Sequence, residues 1–323
     1  MNDLSNINWE SILNALEKKR CVLFIGKGAY QASGGGSIEV AMQEALKVND
    51  PDHPYIKLHN SDGFYLFKDS FSRQDFIDDL KKFYQQSFPE TESDLKLLAA
   101  IPFNMIFSMS PDNFISGIYN VCNLDFSFDY FNKNVPETCE IPTPEKPLIY
   151  NLFGNIDDGD SLVLTHNDLF NYLQLAFEEN KIHTDIKYQL EKKISNFIFL
   201  GLPFEKWYFQ LLLRVLSLHS DKFAALERLA LNNFEDDNFI HLYTEEFKID
   251  FIQSDVSNFI KELHRHCDEK GLLKKVKTAK EIENISFDEV KSLITDAKEM
   301  EAISKLEGYF ASTPSKFSEI HQN

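Results

Sequence analysis

The chain has 323 residues, 43% of them hydrophobic, which is enough for one large α/β domain with a small appendage. Its 33 basic and 51 acidic residues give a formal net charge of −18. Such a surface repels phosphate backbones and anionic membranes, so neither nucleic acid nor membrane is expected as a partner, although a local basic pocket for a small nucleotide is not excluded.

Four cysteines, Cys21, Cys122, Cys139 and Cys267, stand without a Cys-x-x-Cys pair, which argues against a zinc ribbon and a disulfide framework. The acidic, polar start Met1-Asn2-Asp3-Leu4 is unlike a signal peptide, and no apolar run approaches a membrane span. A cytoplasmic protein is expected. The 29 phenylalanines point to broad aromatic packing.

Asn8 to Lys18 carries Trp9, Ile12, Leu13 and Leu16 at helical spacing. Cys21-Val22-Leu23-Phe24-Ile25 is then an apolar strand that runs into Gly26-Lys27-Gly28 and a polar turn through Gly34, Gly35 and Gly36. A buried strand, a glycine turn and a helix form the opening of a nucleotide-binding sheet, where missing Cβ atoms let backbone approach a phosphate. A plain β-to-α turn has the same pattern, and both readings stay open here. Ile38 to Leu46 is the first crossover helix, and the prolines of residues 49–54 make a loop. Further helices are expected over Arg73–Gln86 and Asp94–Ala100.

Asn104 to Met109 is a second buried strand that ends in Ser110-Pro111-Asp112-Asn113. Residues 123–147 lose periodicity and read as a surface excursion with one edge strand. Leu148 to Phe153 is a third strand, closed by Gly154, and a helix follows from about Asn167 to Glu178. After a polar helix at Ile186–Lys193, Asn196 to Leu200 is the fourth core strand and ends at Gly201; its helix is expected over Phe204–His219. Short strands are expected at Phe239–Tyr243 and Ile249–Ile252, and Asp255–Cys267 shows a helical apolar stripe. This alternation predicts a Rossmann-like, mostly parallel sheet with helices on both faces, spanning residues 1–270. Residues 271–284 read as a Lys-rich linker. Residues 285–323 read as a small all-helical segment opened by the capping box Ser286-Phe287-Asp288-Glu289, an incomplete unit with apolar faces to cover.

Four strand ends together resemble bacterial sirtuin-like domains, the silent-information-regulator superfamily that handles NAD. They are Gly26-Lys27-Gly28, Ser108-Met109-Ser110-Pro111-Asp112, Leu152-Phe153-Gly154 and Gly201-Leu202-Pro203-Phe204-Glu205-Lys206. The resemblance covers roughly residues 8–270 and implies a site for NAD or an ADP-ribose-type nucleotide, without metal, at Gly26, Lys27, Gly28, Ser110, Asp112, Gly154 and Gly201. The departures fall on the chemistry. Ser110 stands where the family has an amide and Phe153 where it has a histidine, while Pro203 and Lys206 replace a serine and an aspartate. Phenylalanine moves no proton, and a serine lacks one pole of the amide. Lys27 replaces a small residue where the pyrophosphate would lie, and would either aid a phosphate or block its approach.

Two residues are candidate substitutes. His166, thirteen positions after Phe153, is either a base at the same sheet edge or an N-cap or surface histidine. Asp112 either polarises a ribose hydroxyl or caps the helix that follows. His264 and Cys267 lie one helical turn apart, but without a third ligand they read as a packed helix face. Trp207 and Tyr208 are core or the wall of a base pocket.

The tail resembles the first part of the effector-associated helical adaptors of bacterial conflict systems, which implies a protein partner through the C-terminal helices and leaves a homo-oligomer open. The leading expectation is a catalytically degenerate sirtuin-like scaffold or nucleotide sensor in anti-phage or conflict signalling. The alternatives are an active NAD glycohydrolase that uses Asp112 and His166, and a structural interaction module.

Overall fold

The protein is described from a computed structural model, which covers residues 3–132, 142–143, 146–177, 186, 188–190, 193–216, 227–231 and 237–274. The expected adaptor helices at 285–323, most of the linker and residues 187, 191 and 192 of the helix expected at 186–193 lie outside the described residues.

Seven strands form one all-parallel sheet in the order β5-β6-β4-β1-β7-β8-β9. They are β1 (Cys21–Ile25), β4 (Met105–Ser108), β5 (Ser127–Tyr130), β6 (Leu148–Asn151), β7 (Asn196–Leu200), β8 (Glu227–Leu231) and β9 (Asp250–Ile252). Every residue of β1, β4, β6 and β7 is buried, which explains why these strands read as continuous apolar runs: a parallel strand is covered on both faces. Alternate side chains feed two cores. On one face Cys21, Leu23 and Ile25 join Ile106, Ile149 and Ile198. On the other, Val22 and Phe24 join Phe107, Tyr150, Phe197 and Phe199. The second face is where the phenylalanines concentrate, with the Phe24 and Phe107 centroids 4.8 Å apart.

The first face is covered by α1 (Trp9–Glu17), α4 (Pro89–Ala100), α5 (Phe114–Val121) and α9 (Val256–Glu269), through residues such as Leu16, Leu98, Ile118 and Leu263. On the second face lie α6 (His166–Phe177) and α7 (Trp207–Val215), which bury Leu169, Tyr172, Phe209 and Leu212. The remaining helices are α2 (Ile38–Ala45), α3 (Ser70–Tyr84) and α8 (Asp237–Phe247). Residues 271–274 dock on the domain: the Lys274 N–H donates to the Ala100 carbonyl at 2.8 Å, and its ammonium to the Tyr119 hydroxyl at 2.9 Å.

Three features depart from the sequence reading. Phe239–Tyr243 lies inside α8 and is not a strand; the buried Tyr243 and Phe247 are four apart, a helical stripe hidden in a short apolar run. β8 was not expected, because Glu227 and Arg228 break the apolar pattern; Arg228 is nonetheless buried, with its guanidinium donating to the Phe247 carbonyl. A two-stranded antiparallel hairpin, β2 (Ile56–His59) and β3 (Tyr65–Phe67), stands apart from the main sheet. Its tip is the turn Asn60-Ser61-Asp62-Gly63, in which Asn60 Oδ1 accepts from the Asp62 and Phe64 N–H groups and Gly63 adopts φ +89°.

Candidate functional site

From β1 the chain moves outward to β4 on one side and later returns to β7 on the other. At such a reversal the loops leaving the strands diverge and open a crevice at their carboxyl ends. A cleft of about 610 Å³ lies there, within the range of small-molecule sites. Gly26, Lys27 and Gly28 follow β1, Met109 and Pro111 follow β4, Phe153 follows β6, and Gly201 to Lys206 follow β7; all of these segments line it. The hairpin forms the facing wall, with His59, Asn60, Asp62, Phe64 and Tyr65.

The glycines at the floor are required by one another. A Cβ on Gly26 would lie 2.5 Å from the Gly201 carbonyl oxygen and one on Gly28 at 2.9 Å, while a Cβ on Gly201 (φ +58°) would lie 2.0 Å from the Ala29 nitrogen. The two loops are laced directly, Gly26 N–H to Leu200 O at 2.9 Å and Gly28 N–H to Gly201 O at 3.0 Å. The Ala29 and Tyr30 N–H groups close onto Gly26 O and Lys27 O. Four amides of the turn are thus already engaged, and α2 begins only at Ile38. These glycines are therefore required by backbone packing at the switch point. Gly154 is similar: its Cβ would meet the Ser161 carbonyl oxygen at 2.3 Å, at φ +87°.

Ser110, Asp112 and Gly154 do not line the cleft; they lie behind Met109 and Pro111. Ser110 and Asp112 are buried, and Asp112 Oδ1 accepts the N–H of Phe114, the first residue of α5, at 2.9 Å, while the N-cap position itself is Asn113. Burial raises its carboxyl above the usual carboxylate range, against the pull of the Ser110 hydroxyl, the Phe114 N–H and the Lys27 ammonium. Asp112 Oδ2, Ser110 Oγ and Tyr30 Oη are buried with no hydrogen bond of sound geometry, although the Ser110 hydroxyl is near enough to influence the carboxyl. Two hydroxyls and one carboxylate oxygen are thus buried behind the cleft wall.

His166 is not brought to Phe153. It opens α6, half exposed, takes a 2.9 Å hydrogen bond from Asn60 Nδ2 and lies 3.7 Å from Asp62. It lines a neighbouring hollow on the far side of the hairpin tip. The rings of Tyr208 and Phe64 stand between it and Phe153, at successive centroid distances of 6.2, 5.3 and 5.2 Å. The reason is the hairpin, whose tip occupies the space between β6 and α6.

The imidazole that does line the cleft is His59. Its Nδ1 donates to Asn49 Oδ1 at 2.9 Å, its ring stacks on Tyr65 at 5.0 Å, and Nε2 is buried without a partner. Burial lowers its pKa, with Lys27 and Lys206 acting in the same sense and Glu39 against. The ring is therefore neutral at pH 7, with Nε2 as its acceptor. A sequence signal for this wall existed: the turn residues Asn60-Ser61-Asp62-Gly63 between the alternating Ile56–His59 and the apolar run Phe64–Phe67 form a hairpin pattern.

Tyr208 also lines the cleft, as does Lys206, whose ammonium donates to the Ser61 carbonyl at 2.5 Å. Trp207 instead ties the hairpin tip, its Nε1 donating to Asp62 Oδ2 at 3.1 Å. His264 and Cys267 share α9, where the buried Cys267 thiol is pushed up to about 12 by burial. Among the described residues no group of three or more His, Cys, Asp or Glu could hold a metal ion, and no helix is long and apolar enough to cross a membrane.

Residues 105–252 match the family described as SIR2-like domain. The chain carries a SIR2-like domain. The match runs from β4 to β9 and includes Ser110, Asp112, Phe153, Gly154 and Gly201, while Gly26, Lys27 and Gly28 precede it. Among solved structures, a chain described under "Structural Basis for the Mechanism and Regulation of Sir2 Enzymes" is similar at 10% identity with a TM-score of 0.39, covering 81% of this chain and 99% of that one. No curated protein matches.

Proposed function

We propose that the SIR2-like domain binds an NAD- or ADP-ribose-type nucleotide in the cleft over β1 and β7 and acts as a scaffold or sensor without rapid cleavage of the nicotinamide–ribose bond. The observation that carries this reading is the cleft itself: it is open, of nucleotide size, and walled by Phe153 where the resemblance places a proton-moving histidine. A missing general base costs a reaction about 10²–10⁴-fold in rate, and Ser110 supplies no amide to orient the sugar. That the tail recruits a partner in conflict signalling rests on the sequence of residues 285–323 alone.

Calorimetric titration with ADP-ribose and NAD, together with an assay for released nicotinamide, tests the proposal. Saturable binding without release is expected. No binding would leave an interaction module as the reading. One observation favours the second reading, an active glycohydrolase: the neutral His59 imidazole on the cleft wall. Release that His59→Ala or Asp112→Ala abolishes, with binding retained, would replace the sensor by that enzyme.

A further inference from the structure

The nucleotide reading leaves open what meets the ligand's phosphates, since the turn that would serve as their cradle has engaged its Gly26, Gly28, Ala29 and Tyr30 N–H groups internally. An amide already donating to a carbonyl at about 3 Å has little left for an anion, so with four of the five amides from Gly26 to Tyr30 engaged, much of the charge of a diphosphate falls to side chains. Lys27 stands at the tip of this turn, half-buried, on the cleft wall. Among the described residues its ammonium has neither a hydrogen bond nor an ion pair. Other lysines in this acidic chain do pair, as Lys81 with Asp157 at 2.5 Å, Lys82 with Asp79 at 2.9 Å and Lys270 with Glu17 at 3.5 Å. A cation left unpaired in a concave site, in a chain of net charge −18, creates a local positive potential where the rest of the surface repels anions.

Lys206 enters the same cleft from the loop after β7. Both ammonium groups act on the His59 ring, as does the Glu39 carboxylate in the opposite sense. Carboxylates share the cleft with them: Glu205 lies 3.9 Å from the Lys206 ammonium, Glu39 acts on the His59 ring against both lysines, and these groups are acceptors suited to ribose hydroxyls.

We infer that the Lys27 ammonium, supported by Lys206, is the group that reads the diphosphate of the nucleotide in this cleft, in place of the amides of the glycine turn. The inference rests on the nucleotide-binding reading above and assigns its ligand class: a nucleoside diphosphate ester, discriminated from the bare nucleoside by charge.

The test uses the whole chain and three probes, ADP-ribose, AMP and adenosine, with calorimetry for the first two and ligand-observed NMR for the nucleoside. A lost hydrogen bond to a charged group predicts that Lys27→Ala weakens ADP-ribose binding about 10- to 100-fold and leaves adenosine unchanged. Lys27→Gln, which keeps the length of the side chain without its charge, should behave like the alanine variant, and Lys27→Arg should retain most of the affinity. Raising the salt concentration should weaken ADP-ribose binding to the wild type more than to Lys27→Gln. Equal losses for ADP-ribose and adenosine, or no loss for either, would overturn the inference while the nucleotide-binding reading stands. If the wild-type chain binds none of the three probes, both fail together.

Discussion

The floor and the roof of the cleft are built on opposite principles. At the floor, Gly26, Gly28 and Gly201 bring two backbones into direct contact, and no side chain adjusts the fit. At the roof, the hairpin tip is held by side chains: Lys206 on the Ser61 carbonyl, Trp207 on Asp62, Asn60 on His166, and Tyr65 stacked on His59. A backbone contact fixes a position and tolerates nothing, whereas side-chain contacts can be exchanged one at a time. The floor therefore locates the site, and the roof is where its chemistry is free to change.

The contrast breaks most visibly at Gly201. Alanine there would place a Cβ 2.0 Å from the Ala29 nitrogen, at φ +58°, against backbone that cannot retreat. Gly201→Ala is expected to lose more than about 4 kcal/mol, or to leave no folded protein, as measured by chemical denaturation. Asp112 sharpens it from behind the wall. Removing its bond to the Phe114 N–H with Asp112→Ala should cost about 1 kcal/mol. Asp112→Asn can keep the Phe114 bond and should stabilise the fold at neutral pH, because burial raises this carboxyl above its unfolded value. The sign follows from linkage: the native state holds its proton at higher pH than the unfolded chain does. Its contribution is thus present at low pH and lost as pH rises through the folded pKa. Melting curves at acid and neutral pH check this, and a destabilised asparagine variant at pH 7 would assign Asp112 a charged structural role instead.

The same division governs what could be read from the sequence. The floor was legible because β1, β4, β6 and β7 are buried on both faces and β1 and β7 run directly into glycine, patterns local to each segment. What the glycines do was not legible, since Gly26 is explained by Gly201, far away in sequence. The roof is polar and short, and its apolar side chains alternate over only four residues. That pattern competes poorly with helical stripes. His166 was singled out by its distance along the chain from Phe153, which does not show that a hairpin tip stands between the two. His59 had no such marker: it lies outside the segments that carry the resemblance, and only folding brings it to the cleft.

Loosening the roof should be gentler. Trp207→Phe removes the exposed bond to Asp62 and is expected to change stability by less than about 1 kcal/mol. Amide exchange at residues 60–64 should accelerate, with β1 and β7 unaffected. Uniform acceleration would show that roof and floor open as one unit.

The smallest expected effect belongs to His59. Burial lowers its pKa from 6.5, so the unfolded chain takes up a proton at higher pH than the native one does. Stability attributable to the neutral ring is complete above about pH 6.5 and declines as pH falls from there through the folded pKa. His59→Gln keeps a polar group on the wall and cannot titrate, so its stability should vary less between pH 7 and pH 5 than that of the wild type. ADP-ribose should shift the wild-type profile. A phosphate at Lys27 and Lys206 offsets two of the charges that hold the ring neutral, and the bound state should take up a proton more readily. Calorimetry in two buffers of different ionisation enthalpy would detect that uptake. Its absence in Lys27→Gln, with nucleotide still bound, would show that charge links the floor of the cleft to its roof.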